Sequence, residues 1–291
     1  MNTEKKGYLE LILFSLLAGV VGVFVKLVQN LDVYTILFFR AFIAAIFILL
    51  VIIFRKRLKE LSIISPIQTL LVGLFQGLSI FLYFLSVLNT TVSNALFLVY
   101  TAPIFSLIFA KFFFKEKIEK ETIIGVIITL IGIIFVLDPK TFSFNSSQTL
   151  GNLMGLASGF FYSAMALTAK PIMKNKSGYY TAFWQYVVIS LMFVFFIKIN
   201  SVNILLVNWW KLLIIGILCT GIAFILFMEG VRKVKAQKIF IVTALEPLAG
   251  TVVALIVLNE IPSIMTIIGA IFILYGVYRI ANKKAALNPS S

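Results

Sequence analysis

A constant offset of 144 residues relates the two halves of this 291-residue chain. The residues that repeat are a lysine, a proline, a glutamate and glycines, not the Leu and Ile that match by chance in an apolar chain. They pair Lys26 with Lys170, Gly77 with Gly221, Pro103 with Pro247, Glu116 with Glu260, Gly125 with Gly269, and Gly132 with Gly276. The register runs without a gap, so we expect two copies of one structural unit.

The chain is too apolar for a soluble protein. Hydrophobic residues make up 61% of it and charged residues 12%, whereas soluble domains carry about 25% charged residues. This composition predicts an all-α integral membrane protein whose solvent is lipid. The first apolar run, 8–28, is too long for the core of a cleavable signal peptide. The chain has no histidine and a single cysteine, Cys219, which excludes zinc, haem and intrachain disulfide sites built on those residues.

Ten apolar runs are long enough to cross a membrane, since a helix spans the ~30 Å hydrocarbon core in about 20 residues. They are 7–28, 33–54, 66–88, 92–113, 121–137, 150–173, 179–197, 210–229, 238–258 and 263–280. The only long linker, 141–149, falls where the two copies meet. We therefore predict a first five-helix repeat at 1–140 and a second at 150–291.

The distribution of cations predicts the orientation of the helices. If the N-terminus is cytoplasmic, the inside segments hold most of the lysines and arginines, and the outside segments hold only Lys140, Lys198 and Lys211. This is the bias expected of cytoplasmic loops, so both termini are predicted to be cytoplasmic, in the cell membrane. Each copy has an odd number of spans, five, so the second copy is predicted to have inverted topology.

Two ionisable residues lie deep within predicted spans. Arg40 is about 10 Å below the outer end of its helix, and Glu246 is about 12 Å above the inner end. Charges at such depth persist because they face a cavity or a partner. Arg40 stays charged and needs water, carbonyls or an anion, whereas Glu246 can bind a proton or simply cap a broken turn. Lys26 and Lys170 lie near helix ends, where they are expected to anchor the interface.

Pro103 and Pro247 fall in mid-span and predict helix kinks, because proline removes a backbone hydrogen bond. A cavity or neighbouring helices must then satisfy the freed carbonyl groups. Trp184 occupies the repeat position of Arg40, which breaks the symmetry where a solute could be distinguished. The other polar or aromatic candidates within spans are Gln76, Tyr83, Asn94, Tyr100, Tyr162, Gln185 and Thr243.

The chain resembles the drug/metabolite transporter superfamily, and within it the EamA family, over nearly its whole length. The resemblance is carried by Phe39-Arg40-Ala41-Phe42, by Thr101-Ala102-Pro103 with Lys115-Glu116, and by Leu245-Glu246-Pro247 with Asn259-Glu260. Members of this family export amino acids and other metabolites or drugs, import small cations, or exchange phosphorylated compounds. A highly charged phosphate substrate is disfavoured here, because Arg40 is the only deep cation.

The resemblance and the repeat together imply a secondary transporter of a small organic solute that works by alternating access. The P-loop motif of ATP-binding proteins, G-x-x-x-x-G-K-[ST], is not present, so a proton or solute gradient would supply the energy. The alternatives are an importer or symporter of a small organic cation, or a channel-like facilitator. An intramembrane enzyme is disfavoured, since the chain has one deep acid and no histidine.

The expected partners are the lipid bilayer, a small-molecule solute and, as a candidate coupling ion, the proton. No cofactor and no nucleic-acid partner are expected, and the oligomeric state stays open.

Overall fold

The structure is a computed structural model that describes residues 3–28, 30–137, 148–198, 202–259 and 261–281, and every regular element in these ranges is helical. The α-helices are α1 Thr3–Gly19, α2 Val21–Leu27, α3 Val33–Phe54, α4 Pro66–Asn89, α5 Val92–Val99, α6 Ala102–Phe113, α7 Lys120–Val136, α8 Thr149–Ile172, α9 Gly178–Phe193, α10 Val202–Leu213, α11 Ala223–Lys233, α12 Ile239–Thr243, α13 Glu246–Leu258 and α14 Ile264–Ala281. A π-helix, Ile214–Ile222, joins α10 to α11, and short 3-10 helices occupy Leu58–Leu61, Val194–Phe196 and Ala236–Lys238.

Several predicted features lie outside the described residues. They are Lys140, Glu260 and most of the predicted linker, 141–147, together with the side chain of Lys26.

Within the described ranges, nine helical stretches are long and apolar enough to cross a membrane, and they overlap nine of the ten predicted runs. The run predicted at 121–137 corresponds to α7, which has 17 residues. The run predicted at 210–229 is too short, because the helical stretch there extends over 30 residues, Ile204–Lys233. Asn208 and Lys211 lower the hydropathy of its beginning, but they hydrogen-bond each other at 3.2 Å within the helix.

Helices at equivalent positions of the two copies pack against each other and run in opposite directions. Along α7 and α14, Gly125 lies against Ile280, and Gly132 lies against Ile273. Residue numbers therefore fall along α14 as they rise along α7, and α3 and α9 are antiparallel in the same way. The packing of α1 on α11 is likewise the counterpart of α8 on α4. A two-fold relation between the copies produces this pattern.

The fourth run of each copy is broken at the same repeat position. In the first copy, α5 ends at Val99 and α6 begins at Ala102; in the second, α12 ends at Thr243 and α13 begins at Glu246. Each proline, Pro103 and Pro247, is the second residue of the new helix, where its missing N–H breaks no helical bond. The prolines thus follow interruptions of the helix, whereas the sequence predicted kinks in continuous helices.

The first predicted span, 7–28, is also divided, because α1 ends at Gly19 and α2 begins at Val21. The break lies where α1 crosses the beginning of α13. A side chain at Gly19 would overlap the backbone carbonyl oxygen of Glu246, and one at Gly250 would lie 3.0 Å from the carbonyl oxygen of Gly19. Close contact through small residues is a common way for membrane helices to associate. This contact holds the N-terminal end of α13 against α1.

Candidate functional site

A cavity of about 660 Å³ lies between the two copies, and we call it the central cavity. Side chains from α1, α3 and α4 of the first copy and from α8 and α13 of the second line it. Its polar and charged lining residues are Arg40, Gln76, Ser79, Tyr83, Tyr100, Ser158, Tyr162, Glu246, Thr251, Ser263 and Thr266. Six of the ten solute or coupling candidates predicted from sequence are among them, so residues far apart in the chain meet in one space.

Glu246 is placed in the central cavity by the break between α12 and α13. It is the first residue of α13, where the helix dipole favours a negative charge. The Tyr162 hydroxyl from α8 donates to its Oε1 at 3.4 Å. Two phenylalanine rings hold the Tyr162 ring. The centroid of the Phe227 ring, which stacks on it, is 6.1 Å away, and the centroid of the Phe240 ring is 4.9 Å away. Tyr162 is thus positioned by packing to hold the carboxylate in one orientation.

Arg40 is held in the central cavity by the π-helix. Its Nε donates to Thr220 Oγ1 at 2.7 Å, and that hydroxyl donates in turn to the Ile215 carbonyl at 2.7 Å. The Tyr186 hydroxyl lies beside the same guanidinium. Single π-helical segments are frequent at functional sites, because the wider turn re-aims side chains. The bond from Nε fixes the guanidinium plane, and its terminal N–H groups can serve an acceptor in the cavity.

Arg40 and Glu246 line the same cavity, but in the described part of the chain no ion pair joins them. Each is instead oriented by an uncharged hydroxyl group, that of Thr220 or Tyr162. A solute in the cavity therefore meets an unneutralised cation and an acid on opposite copies.

Gln76, Tyr83 and Tyr100 add polar groups to the wall formed by the first copy. Gln76 is 4% exposed, and its Oε1 accepts no hydrogen bond from any residue that the structure describes. Tyr100 lies in the break between α5 and α6, which is the counterpart of the break that carries Glu246. Buried polar groups are usually hydrogen-bonded, so the free acceptor of Gln76 can serve a donor in the cavity.

Five polar residues of the lining were missed in the sequence, namely Ser79, Ser158, Thr251, Ser263 and Thr266, and two of them bond each other. The Ser79 hydroxyl donates to the Ser158 carbonyl at 3.0 Å, and the Ser158 hydroxyl donates to the Ser79 carbonyl at 2.7 Å, which joins α4 to α8. The helical spacing could have revealed these two serines. Ser79 lies three and four residues from Gln76 and Tyr83 on one face of α4, and Ser158 lies four residues before Tyr162 on α8.

Trp184 and Gln185 lie outside the central cavity. The Trp184 indole Nε1 donates to the Leu61 carbonyl at 3.2 Å, in the connection between α3 and α4. Because the copies are antiparallel, the repeat position of Arg40 falls at the other end of the bundle. Gln185 is fully buried in α9, and its amide atoms have no hydrogen-bond partner among the described residues.

Asn94 and Thr243 also lie outside the cavity, although both belong to the interrupted fourth runs. The Asn94 amide donates to Thr90 Oγ1 and to Asn152 Oδ1, each at 3.1 Å, and so ties the start of α5 to α8. The Thr243 hydroxyl donates to the Phe240 carbonyl at 3.3 Å within α12. Their contacts are those of packing residues.

The bundle is closed at the end that carries the beginning of α1, and we call this the closed end. Lys233 in α11 binds the Glu10 carboxylate in α1 at 2.7 Å and Glu229 at 2.9 Å. These side chains are at most 17% exposed. The central cavity reaches the opposite end, where Leu137 and Ile261 line it. In this structure the central cavity is therefore reached from that end.

A second ion-pair group adds to the closed end. Glu119 binds Lys235 at 2.6 Å and Lys238 at 3.3 Å. Burial would raise the pKa of Glu119, but the hydrogen bonds and charges of these two lysines outweigh it and lower the pKa below its usual value. The hydrogen bond to Glu119 likewise raises the pKa of Lys235. Both groups are thus charged at neutral pH.

Lys170 also stabilises the closed end. Its Nζ donates to the Val231 carbonyl at 2.8 Å and to the Val234 carbonyl at 2.5 Å. These carbonyls belong to the last turn of α11 and the residue after it, where a cation is favoured. The expected interfacial anchor is therefore a helix cap.

The family model of the EamA-like transporter family matches residues 5–138 and 149–282. A protein of Archaeoglobus fulgidus named "uncharacterized transporter" is 28% identical over 273 residues, which cover 93% of this chain and 94% of that protein. Human solute carrier family 35 member G1 is 24% identical over 284 residues, covering 89% of this chain and 74% of that protein. A crystal structure with 17% sequence identity aligns with a TM-score of 0.81 and covers 94% of this chain and 96% of that chain, which shows likeness of fold.

Proposed function

The chain belongs to the EamA-like transporter family, and from this membership we propose that it is a secondary transporter of a small organic solute that works by alternating access. Membership of this family makes the chain a multi-pass membrane transporter, and its relatives are likewise named as transporters. The finer proposal rests on the central cavity, which brings Arg40 and Glu246 together between the copies. Transporters built from inverted repeats bind their solutes at such an interface, beside interrupted helices.

The proposed topology has ten membrane spans, five in each copy, with α7 as the fifth. The copies are inverted, which the antiparallel packing of α7 on α14 supports. Both termini lie in the cytoplasm, because the excess of cations in the connections favours that side. The closed end then faces the cytoplasm, and the central cavity opens to the outside of the cell membrane.

The proposed solute carries a cationic or donor group and an anionic or acceptor group on an apolar body. An amino acid has this character. Arg40 receives the anionic group, because its guanidinium offers N–H donors in a fixed plane. Glu246, on the second copy, and the side-chain carbonyl of Gln76, on the first copy, receive the donor group. The aromatic rings of Tyr83 and Tyr100 cover the apolar part.

Glu246 is the proposed coupling residue. It binds a proton when the cavity holds no cationic group and releases it when one arrives, so that solute and proton exchange across the membrane. Tyr162 supports this role, because its hydroxyl can donate to the carboxylate and remain in place in either state.

The function is tested with purified protein in liposomes. Solutes that raise the melting temperature are selected from a panel of amino acids and amines, since a ligand stabilises the state that it binds. Their uptake is then measured with and without a pH gradient. We expect saturable counterflow, with Glu246→Gln losing the response to the gradient. Glu121→Gln, the same change near the beginning of α7, should keep it.

Saturable counterflow that fails to appear for every stabilising solute would contradict a transporter of this kind. Undiminished proton-driven uptake by Glu246→Gln would remove Glu246 from the coupling step and leave the transport proposal standing.

A further inference from the structure

A second pocket, of about 310 Å³, lies at the closed end, and we call it the basic pocket. Its lining consists of five basic side chains, one acid and two uncharged polar residues. They are Arg57, Lys59, Glu60, Lys174, Asn175, Lys176, Ser177 and Arg232. These residues come from the connection between α3 and α4, from that between α8 and α9, and from α11. The basic pocket is therefore built by both copies and is separate from the central cavity.

The single acid of the basic pocket is already engaged. Glu60 pairs with Arg57 and accepts a hydrogen bond from the Ser177 hydroxyl, and its backbone carbonyl accepts from Lys176 Nζ at 2.9 Å. These contacts fix the two connections against each other. They leave the remaining cations of the basic pocket in excess.

Lys59, Lys174 and Lys176 carry most of that excess. Lys176 is already bonded to the Glu60 carbonyl and the Ser62 hydroxyl, which leaves Lys59 and Lys174 as the cations best placed to meet a ligand. Both side chains are exposed, and among the described residues no ion pair involves either of them. Arg232 contributes less to the excess of positive charge, because its Nη1 lies 3.7 Å from Glu229 Oε2. A concave site with unneutralised cations concentrates an anionic ligand.

We propose that the basic pocket binds a phosphate group carried by an anionic molecule at the membrane surface. Arginine and lysine side chains recognise phosphate through charge-assisted hydrogen bonds, and the Asn175 amide can add a neutral donor. Because Lys59 belongs to the first copy and Lys174 to the second, a bound phosphate bridges the copies. It therefore favours conformations in which the closed end stays closed.

The neighbourhood of the pocket favours a phospholipid headgroup as the source of the phosphate. The Arg55 guanidinium lies over the Tyr179 ring at 5.1 Å, a pairing suited to the interface of a membrane. Ile63 and Ile64, close in sequence to Glu60, are 49% and 47% exposed, as expected for side chains in contact with lipid. Basic pockets between membrane helices are known sites for anionic headgroups.

The test measures the melting temperature of the full chain in nanodiscs. The lipid is phosphatidylcholine alone, phosphatidylcholine with phosphatidylglycerol, or phosphatidylcholine with inorganic phosphate in solution. The variants are Lys59→Gln, Lys174→Gln and the double change, all at exposed positions outside ion pairs. Lys117→Gln/Lys120→Gln removes the same charge from the same end outside the pocket.

We expect phosphatidylglycerol to raise the melting temperature, and each lysine change to weaken the apparent lipid affinity about fivefold. The control variant should behave as the parent chain. Stabilisation by inorganic phosphate, lost in the same variants, would support the site with a soluble ligand. No stabilisation by either source, or an equal loss in the control, overturns the proposal. Neither result bears on solute transport, which the liposome assay measures separately.

Discussion

Gly19 in α1 lies so close to the backbone carbonyl of Glu246 that a methyl group at position 19 would overlap it. The contact links helix packing directly to the candidate site. Whatever moves α1 against α13 also moves the first residue of α13, and with it the carboxylate in the central cavity.

Gly19→Ala should reduce transport by at least about tenfold, because the added methyl group pushes α13 and displaces Glu246. Overpacking of this kind typically destabilises a protein by about 1–3 kcal/mol. Uptake per folded molecule is the measurement, with folded protein quantified by size-exclusion chromatography. Gly132→Ala is the matched control, since its added Cβ atom would lie 2.8 Å from the Gly269 carbonyl oxygen on α14, and neither glycine lines the central cavity. It should lower stability while uptake per folded molecule is kept.

Arg40→Lys should raise the KM for the solute about tenfold with a smaller change in maximal rate. The ammonium group keeps the charge but cannot bond Thr220 and present a planar pair of donors to the solute at the same time. Thr220→Val tests the same geometry from the other side, by removing the acceptor of Arg40 Nε. A KM unchanged in both variants would show that the solute does not contact the guanidinium.

Glu10→Gln should open the closed end. The change leaves Lys233 with Glu229 alone and weakens the link between α1 and α11. Removing one partner of a poorly exposed ion pair is strongly destabilising, so we expect the closed conformation to lose population by at least about tenfold. Distances between spin labels on α1 and α11 at the closed end report this directly. An unchanged distance distribution would mean that Lys233 and Glu10 do not hold the end shut.

The pair formed by Glu119 and Lys235 should contribute no pH dependence to transport across the neutral range. The pKa of Glu119 is lowered, so its stabilisation is complete above its ordinary value of 4.5 and is lost only as pH falls through the lowered one. The pKa of Lys235 is raised, so its contribution is present below its ordinary value of 10.5 and is lost only as pH rises through the raised one.

Between about pH 5.5 and 8.5, Glu119→Gln should therefore change the rate of uptake but not the shape of its pH profile. Uptake measured at both ends of this interval, with equal pH on the two sides, checks the prediction. A profile that flattens in Glu119→Gln would instead place the pH response at the closed end.

Three features could be predicted from the sequence: the repeat, the apolar runs and the deep charges. They depend only on local composition and on the depth of a residue within its span. Arg40 and Glu246 stood out, since a charge within a span needs a reason to be there. Ser79 and Ser158 did not, because a serine in a membrane helix more often bonds its own backbone. Their mutual hydrogen bonds depend on which helices become neighbours, and one sequence does not specify that.

The sequence also undervalued residues near helix ends. Glu10 and Glu229 lie there, so their depth within a span did not single them out as candidates. In the fold both glutamates bind Lys233 of α11. Lys233 is 223 residues beyond Glu10, so its contact with Glu10 joins the two copies. Trp184 was singled out because it is the repeat position of Arg40. In an inverted copy, however, equivalent positions lie at opposite ends of the bundle, and Trp184 lies outside the cavity that Arg40 lines.

The matched interruptions at 99–102 and 243–246 carry one more consequence. Under the proposed alternating access, two copies with the same break and opposite direction would exchange conformations, the first copy taking the form that the second has here. In that conformation the central cavity would open at the present closed end, and the opposite end would be closed. The difference between the two copies would therefore describe the second conformation that the proposed mechanism requires.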